Sequence, residues 1–133
     1  MHFNIKIGMN AKMEIVVNEK ETAASYGSGG VSVYATPAMI GLIENTSLNA
    51  VDPFLPEGYA TVGTHLDVKH LAATPVGMKV TATAELIEID RKKLVFKVEA
   101  FDEKDKIGEG THSRFIIEKE KFLNMTREKA SKK

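Results

Sequence analysis

Glu44 follows Ile40 by one helical turn and precedes Leu48 and Val51 by one and two turns, so all four share one arc if this stretch is helical. A carboxylate beside such an arc is partly desolvated. Burial without a partner favours its protonated form, whereas a nearby cation or hydrogen-bond donor keeps it ionised, and either setting suits a general base or a nucleophile. A helix-surface glutamate at the margin of the core accounts for the same pattern, and periodicity alone weighs the two equally. His70 alternates with Val62, Leu66 and Val68 on the face of a strand-like run that packs on the helix. His65 has the opposite parity, with Thr61, Asp67 and Lys69, and faces away. A core histidine bonded to a backbone carbonyl is the commoner use of such a position. Across from Glu44, however, an imidazole gains acid–base uses that neither group has alone.

Thr36 brings a hydroxyl to the start of the same helix. The role of N-cap explains it fully, and the first-turn N–H groups beside it also favour negative charge, as on a developing oxyanion. Eight residues at roughly 1.5 Å each separate Thr36 from Glu44 by about 12 Å along the axis, so spacing does not by itself make a triad of Thr36, His70 and Glu44. Gly63 interrupts a strand, as a bulge for sheet curvature or as a place where a substrate carbonyl reaches a strand N–H. Arg114 shares the parity of His112 and Ile116 and is a fixed cation for a carboxylate or a phosphate, with an exposed salt bridge as the plainer use. His65 and His70 point to opposite faces, which is poor geometry for one metal. No phosphate-binding Gly-x-x-x-x-Gly-Lys-[Ser/Thr], no Gly-x-Ser-x-Gly and no His-Glu-x-x-His occurs. No metal is expected.

The elements that must position these groups follow from periodicity. Apolar residues occupy the odd positions from Ile5 to Val17, which predicts a half-buried strand or strand pair. Residues 18–30 turn polar and small, ending in Tyr26-Gly27-Ser28-Gly29-Gly30, and read as a flexible connection or a mobile lid. Thr36-Pro37 opens a helix that Asp52-Pro53 closes near Val51. Four strand-like runs come next. Their inner faces include Val62 to His70, then Met78, Val80, Ala82, Ala84 and Leu86, then Leu94, Phe96, Val98 and Ala100, and the last covers Ile107 to Ile117. Hairpin-length turns join most of them, so an α+β domain with a largely antiparallel sheet of five or more strands around one long helix is expected. From Glu118 to Lys133 six basic and three acidic side chains surround only Phe122, Leu123 and Met125, which reads as a charged, solvated tail.

The 133 residues suit a single domain, 1–133. Eighteen basic and eighteen acidic residues balance, which argues against a nucleic-acid binder, and the lack of cysteine excludes disulfides, cysteine zinc sites and a thiol nucleophile. No run approaches the roughly 18 apolar residues of a membrane helix, and no signal peptide is visible at the start, so a cytoplasmic protein is the expectation.

Longer motifs add a resemblance. Val33-Tyr34-Ala35-Thr36-Pro37-Ala38-Met39, Glu44 in the helix, the run from Gly63-Thr64-His65 through His70 to Thr74-Pro75-Val76-Gly77, and Ile107-Gly108-Glu109-Gly110-Thr111-His112-Ser113-Arg114 resemble the fluoroacetyl-CoA thioesterase-like family of hotdog-fold proteins. The resemblance implies a hotdog fold, acyl-CoA as substrate, no cofactor, and a homodimer or dimer of dimers with sites near the subunit interface. It implies catalytic roles for Thr36, Glu44 and His70 and places Gly63 and Arg114 at the substrate. The likeness weakens before Val33, where the fluoroacetyl-specific enzyme carries a bulky aromatic lid and this chain has glycines. A broader or different range of short acyl-CoA substrates, rather than fluoroacetyl selectivity, is therefore expected, with a non-catalytic acyl-CoA-binding protein as the alternative.

Overall fold

The computed structural model describes residues 3–131. Five strands, β1 (Asn10–Val16), β2 (Tyr59–His70), β3 (Lys79–Asp90), β4 (Lys93–Phe101) and β5 (Lys106–Glu118), form one antiparallel sheet in the order β1-β3-β4-β5-β2. Its inner face packs on the long helix α2 (Thr36–Val51), chiefly through β3, β1 and β4. The reason is plain in β3 and β4. Val80, Ala82, Ala84 and Leu86 alternate with solvent-side residues, as do Leu94, Phe96, Val98 and Ala100, and all eight are buried. Full burial of each larger side chain contributes about 1.5–3 kcal/mol. The helix answers with Met39, Leu42, Ile43, Ala50 and Val51. Thr46 and Ser47 are also fully buried, and their hydroxyls donate back to the Leu42 and Ile43 carbonyls at 2.7 and 2.9 Å, which removes the cost of unpaired polar groups in the core.

Four expectations are revised. The first strand is shorter than its alternation: a turn at Ile7-Gly8, with Gly8 at φ +98°, leaves Ile7 exposed and only Asn10–Val16 as strand. Residues 18–30 are not a bare connection. Asn18 and Glu21 close a capping box on a 3-10 turn, and a short helix α1 (Ala23–Tyr26) is capped by Thr22 and ended by left-handed Gly27. The expected tail is a helix, α3 (Lys119–Ser131), with Phe122, Leu123 and Met125 all exposed; residues 132–133 lie outside the described residues.

The fourth revision concerns β2. A bulge between Gly63 and His65 inserts Thr64 and shifts the register against β5. Downstream, Val68 and His70 keep the expected inner face, and Leu66 shares their parity but is exposed. Upstream the parity inverts: Thr61 is buried opposite Ile116, and Val62 pairs with exposed Phe115. The same inversion puts Gly63 on the inner face, opposite Arg114. Among the described residues no helix is long and apolar enough to cross a membrane.

Candidate active site

Two groups of polar side chains face the inner side of the sheet, at different levels of α2. The first is at the helix start. Ala35, not Thr36, occupies the N-cap position, its carbonyl accepting the Met39 N–H at 3.0 Å, and Thr36 is the first helical residue. Its hydroxyl makes no capping bond. It lies 2.7 Å from His70 Nδ1 instead, so the expected cap is a side-chain pair between the helix and the end of β2. His70 Nε2 is buried with no hydrogen-bond partner among the described residues. Burial pushes His70 below its usual value of 6.5, and the Ala72 backbone opposes this in part. The ring is therefore neutral near pH 7, with one nitrogen able to donate and the other to accept. The pair borders a surface cavity of about 490 Å³ that Tyr34, Leu71, Ala72 and Ala73 also line, a size suited to a small ligand.

The second group is two turns further along. A methyl placed on Gly63 would lie 2.8 Å from Glu44 Oε2, 3.2 Å from His112 Cε1 and 3.4 Å from Arg114 Nη1. Only a residue without Cβ lets all three approach this point of the strand. Arg114 is 5% exposed, so the exposed salt bridge considered above is ruled out, and it makes no ion pair among the described residues. Its Nε donates to Thr61 Oγ1 at 2.7 Å, Nη2 to the Thr61 carbonyl at 2.8 Å, and Nη1 to His112 Nε2 at 3.2 Å. Thr61 in turn donates its hydroxyl to Asp52 Oδ1 at 2.6 Å. Burial lowers Arg114 from its usual value, while the negative charges of Asp52 and then Glu44 raise it, which keeps the guanidinium charged at any working pH. The carboxylates that act on it are thus Asp52 and Glu44.

The structure therefore joins Thr36 to His70 and gathers Glu44, Gly63 and Arg114, but no hydrogen bond or ion pair links Glu44 to His70 within one chain. The histidine beside Glu44 is His112, which sequence reasoning noted only as a parity marker for Arg114. Its inward parity was visible. What the sequence did not carry was the pairing of β5 with the bulged part of β2, which sets His112 and Arg114 around Gly63.

A model of the fluoroacetyl-CoA-specific thioesterase family (FlK) matches residues 17–120, beginning well ahead of Val33. The fluoroacetyl-CoA thioesterase of Streptantibioticus cattleyicolor is 44% identical over 97 residues, 73% of this chain and 70% of that protein. A solved structure of the fluoroacetyl-CoA thioesterase FlK superposes with a TM-score of 0.88 at 36% identity, covering 95% of this chain and 98% of that one. A thioesterase superfamily member from Thermus thermophilus gives 0.88 at 31%, covering 96% and 94%. The helix-and-sheet arrangement implied by the motifs, the hotdog fold, is the architecture of this chain.

Proposed function

The chain belongs to the fluoroacetyl-CoA-specific thioesterase family, and from that membership we propose that it hydrolyses a small acyl-CoA to the free acid and CoA. The observation that carries the site is the 2.7 Å contact between Thr36 Oγ1 and His70 Nδ1 on the wall of a ligand-sized cavity at the start of α2. There the thioester carbonyl sits against the Thr36 hydroxyl and the first-turn N–H groups of the helix, which stabilise the charge that develops on its oxygen. Glu44 removes a proton from the attacking water or attacks the carbonyl carbon itself; either route consumes one water and releases one thiol. His70, neutral and with one nitrogen uncommitted, carries a proton to the departing sulfur. Gly63 leaves space for the acyl group, and the Arg114 cation lies near that point of the strand beside the Glu44 carboxylate.

The backbones of Thr36 and Glu44 stand roughly 12 Å apart along α2, and no hydrogen bond joins Glu44 to the Thr36–His70 pair among the described residues. We assign the complete site to a homodimer, in which Glu44 of one protomer faces the Thr36–His70 pair of the other. The acyl range extends beyond fluoroacetyl, because the glycine-rich segment 27–30 presents only the small Ser28 to the cavity.

The test is thiol release from a panel of short, branched, aromatic and fluorinated acyl-CoAs, with Glu44→Gln as control. Hydrolysis of at least one short acyl-CoA is expected, falling by about 10²–10⁴-fold in the variant. Saturable binding without turnover that depends on Glu44 would instead make the protein an acyl-CoA binder.

A further inference from the structure

His112 is fully buried, and both of its ring nitrogens have partners. Nδ1 lies 2.8 Å from the backbone carbonyl of His65, a group that can only accept, so the proton is on Nδ1. Nε2 is then a lone pair, and Arg114 Nη1 donates to it at 3.2 Å. A second proton on this ring would set Nε2–H against Nη1–H, two donors of like charge, in a buried site. Burial lowers the His112 pKa most, the hydrogen bond to the His65 carbonyl opposes it, and the Arg114 charge then lowers it further against Glu44, so the net direction is down. Phe96 tilts at 31° to the ring with centroids 6.5 Å apart. The carbonyl that fixes the tautomer belongs to the residue closing the β2 bulge, so the inserted Thr64 has a consequence beyond curvature.

Arg114 spends three of its five N–H groups on Thr61 and His112. The second Nη1 hydrogen is left on the side of the point above Gly63 where Glu44 Oε2 also arrives, the two groups facing that point without forming an ion pair among the described residues. We infer that His112 is a positioning residue for hydrolysis: with its proton held on Nδ1 by the His65 carbonyl, it uses the Nε2 lone pair to aim Arg114 Nη1 at the Glu44 carboxylate over Gly63. Thr61 fixes the other edge of the guanidinium and Asp52 fixes Thr61, so His112 is the contact that sets its remaining rotation. The inference rests on the assignment of Glu44, Gly63 and Arg114 to the site.

Two substitutions separate the two nitrogens. His112→Asn keeps a donor near the His65 carbonyl and loses the acceptor for Arg114; His112→Gln keeps the acceptor and loses the donor. We expect kcat to fall about 10- to 100-fold in His112→Asn with KM within about threefold, and His112→Gln to recover most of the loss. In an Arg114→Lys background His112→Asn should cost nothing further, because its effect runs through the guanidinium. Equal losses in both variants that track melting temperature, or additive losses in the double variant, would reduce His112 to a packing residue. Full activity in Arg114→Lys would overturn the site assignment and this inference together, whereas an impaired Arg114→Lys with unimpaired His112→Asn would overturn this inference alone. Imidazole ¹⁵N shifts of the wild-type protein give a readout independent of activity and of variant folding. They should show Nδ1 protonated and Nε2 bare at neutral pH; an Nε2–H tautomer or an imidazolium would contradict the arrangement.

Discussion

The two ends of the candidate site are built on opposite principles. At the start of α2, Thr36 and His70 form an open pair on a cavity wall, with one ring nitrogen uncommitted. Two turns along, Asp52, Thr61, Arg114, His112 and the His65 carbonyl form a closed chain of hydrogen bonds in the core, with Glu44 and Gly63 at its margin. The open pair can exchange protons with a ligand because it has spare valence. The closed chain cannot, and its use is a fixed field: a guanidinium held in one orientation beside a carboxylate. On the proposed mechanism, two histidines of the same sequence, both lowered in pKa by burial, serve different ends according to how many partners each one has.

Glycines sharpen that contrast most. Gly63→Ala sets a methyl 2.8 Å from the Glu44 carboxylate, the movable end of a long side chain, so the carboxylate shifts and the fold survives. We expect kcat to fall about 100-fold with stability changed by about 1 kcal/mol, measured by steady-state kinetics and thermal melting. Gly110→Ala is the reverse case. At φ +156° its methyl would run into the backbone carbonyl of Asp67, which has nowhere to go, so stability is lost before catalysis is touched. A Gly63→Ala protein as active as wild type would detach the closed group from the reaction.

A smaller effect comes from pH. His70 and His112 both sit below 6.5 in the folded protein, so the unfolded chain binds more protons between 6.5 and the folded values. Stability therefore declines as pH falls through that window and is indifferent to both rings above it. Activity should follow the same sign, level above 6.5 and falling below, because the neutral form of each ring is the working one. A rate that climbs as pH drops below 6.5 would reverse the assignment of His70.

How much of this was legible in the sequence depends on whether a local period or a long-range pairing decides it. Helix Thr36–Val51 and the buried faces of β3 and β4 follow from local period, and the sequence displays them. Thr36, Glu44, His70, Gly63 and Arg114 could be picked out by type and parity. Their grouping could not, because one inserted residue at Thr64 inverts the upstream half of β2 and no alternation reveals an insertion. The Thr36 hydroxyl had a sufficient local use as a cap, and only the end of β2 arriving beside it gave it another. The helix α3 was hidden by charge: its residues are good helix formers, but with no apolar face to bury they resemble a solvated tail.

The central claim is that hydrolysis needs the open pair of one protomer and the Glu44 group of another, and subunit mixing tests it directly. Thr36→Ala and Glu44→Gln proteins, each inactive alone, are combined under conditions that exchange subunits, and thiol release is followed over time. Each mixed dimer then holds one site with both residues intact, so activity should rise to about a quarter of the wild-type rate. A mixture that exchanges subunits and stays inactive would place Thr36 and Glu44 in the same chain's site and contradict the account.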